Sequence, residues 1–154
     1  MTTSVVPETY RNAVVAHIML DGAARAIEFY TRAFGAVELF RLDGPEGRVL
    51  HAEIKIHGST VMLGDAEGPV FGAPTAVGGT TVALHVFVED VDAVAHRAAA
   101  AGAEILQPPT DQFHGDRTAI VKDPYGHVWI FLTHLEDLTP EEVARRAREL
   151  APRG

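Results

Sequence analysis

A chain of 154 residues, 47% apolar and 22% charged, has the length and balance of one compact soluble unit with a real core. Its formal charge of −8 argues against a general nucleic-acid surface, because phosphate binding needs an excess of Lys and Arg. Without cysteine there is no disulfide, thiolate nucleophile or Cys-based zinc site, and no apolar run reaches the roughly 18 residues that suggest a membrane span.

Residues 1 to about 11 read as a short arm without the basic and apolar regions of a signal peptide, so a cytoplasmic location is the default expectation. Residues 14–20 predict a strand. Asp21 is then expected to cap a helix over Ala23–Phe34, in which Ala26, Ile27, Tyr30, Ala33 and Phe34 form an apolar stripe and after which Gly35 supplies a left-handed stop. Strands follow over 37–42, 48–56 and 60–63, with turns at 43–47 and 57–58. The Gly-, Pro- and Ala-rich stretch 67–79 reads as a linker. Beyond it come a strand over 81–88, a helix over 91–101 and a strand near 104–107. After a loop, strands over 117–122 and 127–133 flank the tight turn Asp123-Pro124-Tyr125-Gly126. Thr139-Pro140-Glu141-Glu142 is a capping box that opens a helix to about Leu150, with Val143, Ala147 and Leu150 on one side.

The two halves repeat each other. His17-Ile-Met-Leu-Asp-Gly, a helix and Ala33-Phe-Gly-Ala-Val-Glu return as His85-Val-Phe-Val-Glu-Asp, a helix and Ala101-Gly-Ala-Glu-Ile, with the two histidines 68 positions apart. The expected class is α+β: paired βαβββ modules and an appended C-terminal helix. Module one spans about 12–66, the linker 67–79, module two about 80–135 and the helix about 139–151, all in one domain over 1–154.

This order resembles the vicinal oxygen chelate superfamily, which includes glyoxalase I, extradiol dioxygenases and fosfomycin- and bleomycin-resistance proteins. The wording is most similar to its PhnB-like, glyoxalase/bleomycin-resistance branch: His17-Ile-Met-Leu-Asp-Gly, Ala26-Ile-Glu-Phe-Tyr, His51-Ala-Glu-Ile, Leu84-His-Val-Phe-Val-Glu-Asp, Asp123-Pro-Tyr-Gly-His-Val-Trp and Thr133-His-Leu-Glu-Asp-Leu-Thr-Pro-Glu-Glu. The resemblance implies curled sheets with helices on the convex side and a ligand cavity on the concave side. It also implies a homodimer, since many members complete their cavities across a two-fold axis. The glyoxalase I ligand positions fall on Val15 and Ala83 in the first strands and near Met62 and Ile130 in the last strands, so glyoxalase I chemistry is not implied.

Other residues could carry chemistry. His17 and His85 sit two residues further along the same strand faces and would look into a common hollow, or else be satisfied, half-buried imidazoles. In 51–56, alternation puts Ala52, Ile54 and Ile56 on one face and His51, Glu53 and Lys55 on the other, lining the cavity or facing water. Glu53 is the candidate general base or acidic ligand. With His17 and His85 it would make a two-His-one-carboxylate set for Fe, Mn, Ni or Zn. Gln112, Phe113, His114 and Arg117 lie in a loop expected at the cavity mouth, contacting substrate or simply solvated. Arg117 would clamp an anion or pair with Asp116, and His134 is a further candidate. Trp129 and Phe131 read as core and His127 as a local packing residue. Three functions stay open: a metal-dependent lyase, isomerase or dioxygenase-like enzyme on a small oxygenated molecule; a metal-free protein that sequesters an aromatic, drug-like ligand; or a structural or regulatory homodimer. No nucleic-acid or membrane partner is expected.

Overall fold

The computed structural model describes residues 5–151. β1 (His17–Leu20), α1 (Ala23–Phe34), β2 (Val37–Asp43), β3 (Val49–Ile56) and β4 (Ser59–Asp65) form the first module, whose sheet runs in the order β1-β4-β3-β2. A short helix α2 (Pro74–Val77) interrupts the stretch read as a linker. β5 (Ala83–Phe87), α3 (Val91–Ala100), β6 (Glu104–Asp111), β7 (Asp116–Lys122) and β8 (Val128–His134) repeat the plan as β5-β8-β7-β6, and α4 (Pro140–Leu150) follows. In each sheet the first strand is parallel to the last and the other pairs are antiparallel. The duplication extends to register: His17 lies opposite Met62, and His85 opposite Ile130.

The two modules share one core. Period-two alternation buries Ala52, Ile54 and Ile56 on β3 and Trp129 and Phe131 on β8, and the helical stripe buries Tyr30, Ala33 and Phe34 of α1. Phe34 packs its ring 5.0 Å from Trp129 and 4.9 Å from Phe131, so the helix of module one lies on a strand of module two. Arg97 of α3 strengthens this junction by donating from Nε to the Arg32 carbonyl at 2.5 Å, where the exposed carbonyls at the α1 terminus need donors.

A buried carboxylate joins the modules. Asp123, 3% exposed, accepts from the Tyr30 hydroxyl (2.6 Å), Trp129 Nε1 (2.9 Å) and the backbone N–H groups of Tyr125 (2.9 Å) and His127 (3.0 Å). Four donors around one buried acid satisfy the hydrogen-bonding demand that burial imposes.

Helix α1 starts differently from expectation. Asp21 is exposed, and Gly22 holds the cap position at φ 91, a conformation that favours glycine. The side-chain cap comes from β4. Asp65 accepts from the N–H groups of Gly22 and Ala23 through Oδ1 (both 2.9 Å) and from Val49 through Oδ2 (2.8 Å). Gly64 makes this approach possible, since a Cβ there would stand 2.8 Å from the Leu50 carbonyl oxygen. Thr133, 68 residues on, does the same for α3 by accepting from Val91 N–H at 2.9 Å. Strand β1 begins at His17, and β6 runs to Asp111 through Pro108 and Pro109, whose missing N–H groups coincide with the second of two register shifts against β7, between Gln107 and Thr110. Thr139 caps α4 as expected, but Glu142 turns to Arg145 and Arg146 rather than back to the cap.

Two outcomes follow from these buried contacts. Tyr30→Phe leaves Asp123 short of one donor and lowers stability by about 1–3 kcal/mol, read as a lower urea midpoint at unchanged slope. Burial alone would raise the Asp65 pKa, but the Val49, Ala23 and Gly22 N–H groups, with Arg48 nearby, outweigh it and hold the carboxyl below its ordinary value. A folded pKa below the unfolded one stabilises above about pH 4, and that stability is lost as pH falls through the folded value. Asp65→Asn is therefore destabilising at pH 7, and its gap from the parent chain narrows in acid.

Candidate functional site

Strand register places side chains in rows. Phe40 of β2, Glu53 of β3, Met62 of β4 and His17 of β1 are mutual partners across the first sheet and share its open face, opposite Ala52 and Ile54. A register shift between Glu38 and Phe40 brings Phe40 into this row. The matching row of the second sheet is Gln107, Ile120, Ile130 and His85. The frame is duplicated, but the carboxylate is not.

The polar groups of the first row form a connected strip. Tyr10, from the arm, donates its hydroxyl to Glu53 Oε2 at 2.5 Å. Glu53 Oε1 stands 3.5 Å from His51 Nε2, with both side chains half-buried. The His51 ring meets His17 edge-on, centroids 5.4 Å apart at 89°, and lies 6.3 Å from Phe40. Leu42 is the cross-strand neighbour of His51, and Lys55 is the exposed next residue on the Glu53 face. Desolvation, and then the nearby His51, lower the His17 pKa, so this imidazole is neutral at pH 7 and can either donate or accept. The hydrogen bond to Glu53 raises the Tyr10 pKa, aided by desolvation, and keeps its phenol a donor.

Two hollows flank His17. One, of about 310 Å³, lies between β1, α2 and the start of β5 and is lined by Met19, Pro74, Val77, Leu84 and His127. A smaller one of about 140 Å³ is lined by Met19, Leu50, Asp65 and Phe71. His127 packs over a long range rather than locally, donating from Nε2 to the Met19 carbonyl at 2.8 Å.

The other candidates lie elsewhere. His85 stands on the second sheet beside Ile130, whereas the ring that His17 meets is that of His51. Among the described residues, no group of three or more His, Asp or Glu side chains is placed to hold one ion. His17, Glu53 and His85 of a single chain therefore do not fit a metal centre. Arg117 pairs with Asp92 (2.7 and 2.9 Å) and Asp111 (2.8 Å), not with Asp116. Asp116 instead joins His134 (2.8 Å) to His114 (3.2 Å), and the second nitrogen of His134 meets Asp137 at 2.7 Å. Phe113 lies edge-on to His114, and the Gln112 backbone N–H closes the turn onto the Asp116 carbonyl. The charged groups of this loop are engaged by one another and by Asp92 and His134. The residue that the sequence reading missed is Tyr10, for which the one signal was the single aromatic ring in the arm.

The two environments separate the imidazoles in pH. The His134 pKa is raised, chiefly by its hydrogen bonds to Asp116 and Asp137, while that of His17 is lowered. In an NMR titration His17 should show its midpoint below about 6.5 and His134 above it. Asp116→Asn should bring the His134 midpoint down and leave that of His17 in place.

Residues 14–131 match the model of the Glyoxalase/Bleomycin resistance protein/Dioxygenase superfamily. The chain is similar to uncharacterized protein Rv0887c of Mycobacterium tuberculosis, 43% identical over 135 residues that cover 85% of this chain and 79% of that protein. It is also similar to the crystal structure of TioX from Micromonospora sp. ML1, at a TM-score of 0.64 and 31% identity, covering 82% of this chain and 99% of that one. A PhnB protein from Bacillus cereus aligns at a TM-score of 0.59 and 26% identity over 78% of this chain and 98% of its own. Matched across both modules in sequence and in strand order, the chain belongs to the glyoxalase/bleomycin resistance protein/dioxygenase superfamily.

Proposed function

We propose that this protein binds a small organic molecule on the open face of its first sheet. The observation that carries this reading is the strip Tyr10–Glu53–His51–His17, set among Phe40, Leu42 and Met62 and adjoining two hollows. Mostly apolar walls with a few convergent polar groups are the usual make-up of a small-molecule site. Glu53 accepts a proton donor from the ligand, the neutral His17 donates or accepts as the ligand requires, and Phe40 and Leu42 supply contact area. Glu53 is also the base this face offers for proton abstraction from a bound substrate.

Phe40 and Leu42 are each 50% exposed and Phe87 is 60% exposed. Open apolar surface of this kind favours association. In this reading a second copy covers the face and makes the working unit a homodimer. The equivalent rows give a metal-dependent reading its one support, because a second copy could bring its own row, with His85, towards Glu53 and His17. Within one chain those donors do not fit an ion, and no step is derived through one.

Ligand binding and metal content separate the two readings. An aromatic ligand that raises the Tm of the metal-free protein should do so less in His51→Ala and Glu53→Gln, through the link between affinity and stability. Under this reading, protein offered Fe(II), Mn(II), Ni(II) or Zn(II) and then freed of excess keeps no stoichiometric ion. A stoichiometric ion lost in both His17→Ala and His85→Ala would establish the metal-dependent reading instead.

A further inference from the structure

The group that engages Glu53 belongs to neither sheet. In the arm, Tyr10 N–H donates to the Pro7 carbonyl (3.0 Å), Arg11 N–H to Glu8 (3.2 Å) and Ala13 N–H to Tyr10 (3.2 Å). This wraps Glu8–Tyr10 into a single 3₁₀ turn with no buried residue. From that turn Tyr10 reaches across 43 positions of sequence to set its phenol 2.5 Å from Glu53 Oε2, on the carboxylate whose other oxygen faces His51.

The geometry points to Tyr10 as an internal occupant of the ligand site: the arm is a strap that docks its phenol on Glu53, and the ligand that displaces it is a hydroxyaromatic molecule offering the same O–H donor on the same kind of ring. This rests on the open face being the ligand site. A half-buried carboxylate that loses a hydrogen-bond donor is destabilised unless another donor takes its place, so a purely apolar molecule cannot displace the phenol without cost. A carboxylate ligand would meet like charge at Glu53. A hydroxyaromatic replaces both parts of what leaves, the O–H donor and the flat apolar ring that carries it. The turn that carries Tyr10 buries no side chain, so lifting it uncovers little apolar surface. Docked Tyr10 therefore lowers the apparent affinity for every competitor by the fraction of chains in which the site is closed.

Titration of the full-length protein with 2-naphthol, followed by naphthol fluorescence, tests the assignment, with 2-methoxynaphthalene as the probe that lacks the donor. Tyr10→Phe, which keeps the ring and removes the competing hydroxyl, should bind 2-naphthol about tenfold tighter than the parent chain. Tyr10→Ala should show at least the same gain. 2-Methoxynaphthalene should bind both more weakly than 2-naphthol, and Glu53→Gln should erase the preference for the hydroxyl. Equal 2-naphthol affinity in the parent and both Tyr10 variants, with weaker binding in His51→Ala, overturns the strap and leaves the open-face site standing. Binding indifferent to both His51→Ala and Glu53→Gln overturns the site and the strap together. Failure of 2-naphthol to bind any variant at millimolar concentration overturns the hydroxyaromatic assignment.

Discussion

The buried carboxylate of Asp123 is the contact on which the rest of the arrangement depends. It binds Tyr30 of one module and Trp129 of the other through the same oxygen, while its second oxygen holds the Tyr125 and His127 backbone. The tight turn before β8 is thereby fixed against α1. From that turn His127 reaches the Met19 carbonyl on β1, two residues from His17. The placement of the first-strand histidine, and of the hollow beside it, is set through a chain of contacts that begins in the other module. Burial makes this chain stiff, because a donor lost at Asp123 is not replaced by water.

Duplication built the frame, and substitution within one row built the chemistry. The two sheets agree in strand order, in the pairing of their first and last strands and in how the last strand caps the helix of its own module, through Asp65 in one and Thr133 in the other. They part on the open face. The row of the first sheet carries Glu53 where the second carries Ile120. An acid in a half-buried row needs partners, and Glu53 has His51 on its own strand and the Tyr10 hydroxyl from the arm. Ile120 needs none, and the His85 row is polar only at its two ends, Gln107 and His85.

Much of this was legible in the sequence, for physical reasons that also explain what was not. Period-two alternation at 51–56 separated His51, Glu53 and Lys55 from the buried Ala52, Ile54 and Ile56, because strand geometry leaves no other choice. The helical stripe of α1 and the doubled βαβββ order were equally clear. Local patterns failed where a partner is distant in sequence. Asp21 sits where a cap is expected, yet Asp65 provides the side-chain cap from 42 residues away. The long reach of His127, the ion pairs of Arg117 and the docking of Tyr10 were hidden for the same reason. His17 and His85 do occupy equivalent register positions, opposite Met62 and Ile130, but the ring that His17 meets, that of His51, comes from another strand of its own sheet.

The abundant charged pairs around β7, β8 and α4 have a different role from the buried acid. Arg117 with Asp92 and Asp111, and Arg146 with Glu136 and Glu142, are largely exposed, and pairs of that kind contribute roughly 0–1 kcal/mol each. They do not hold the fold. They do occupy Arg117 and His134 beside the loop 112–117, the first shared by Asp92 and Asp111 and the second by Asp116 and Asp137. A ligand binding there would have to displace charge-assisted bonds already in place, whereas on the first sheet it displaces one phenol. The balance of competing contacts, rather than the count of polar residues, is the ground on which recognition is proposed at Glu53, His51 and His17.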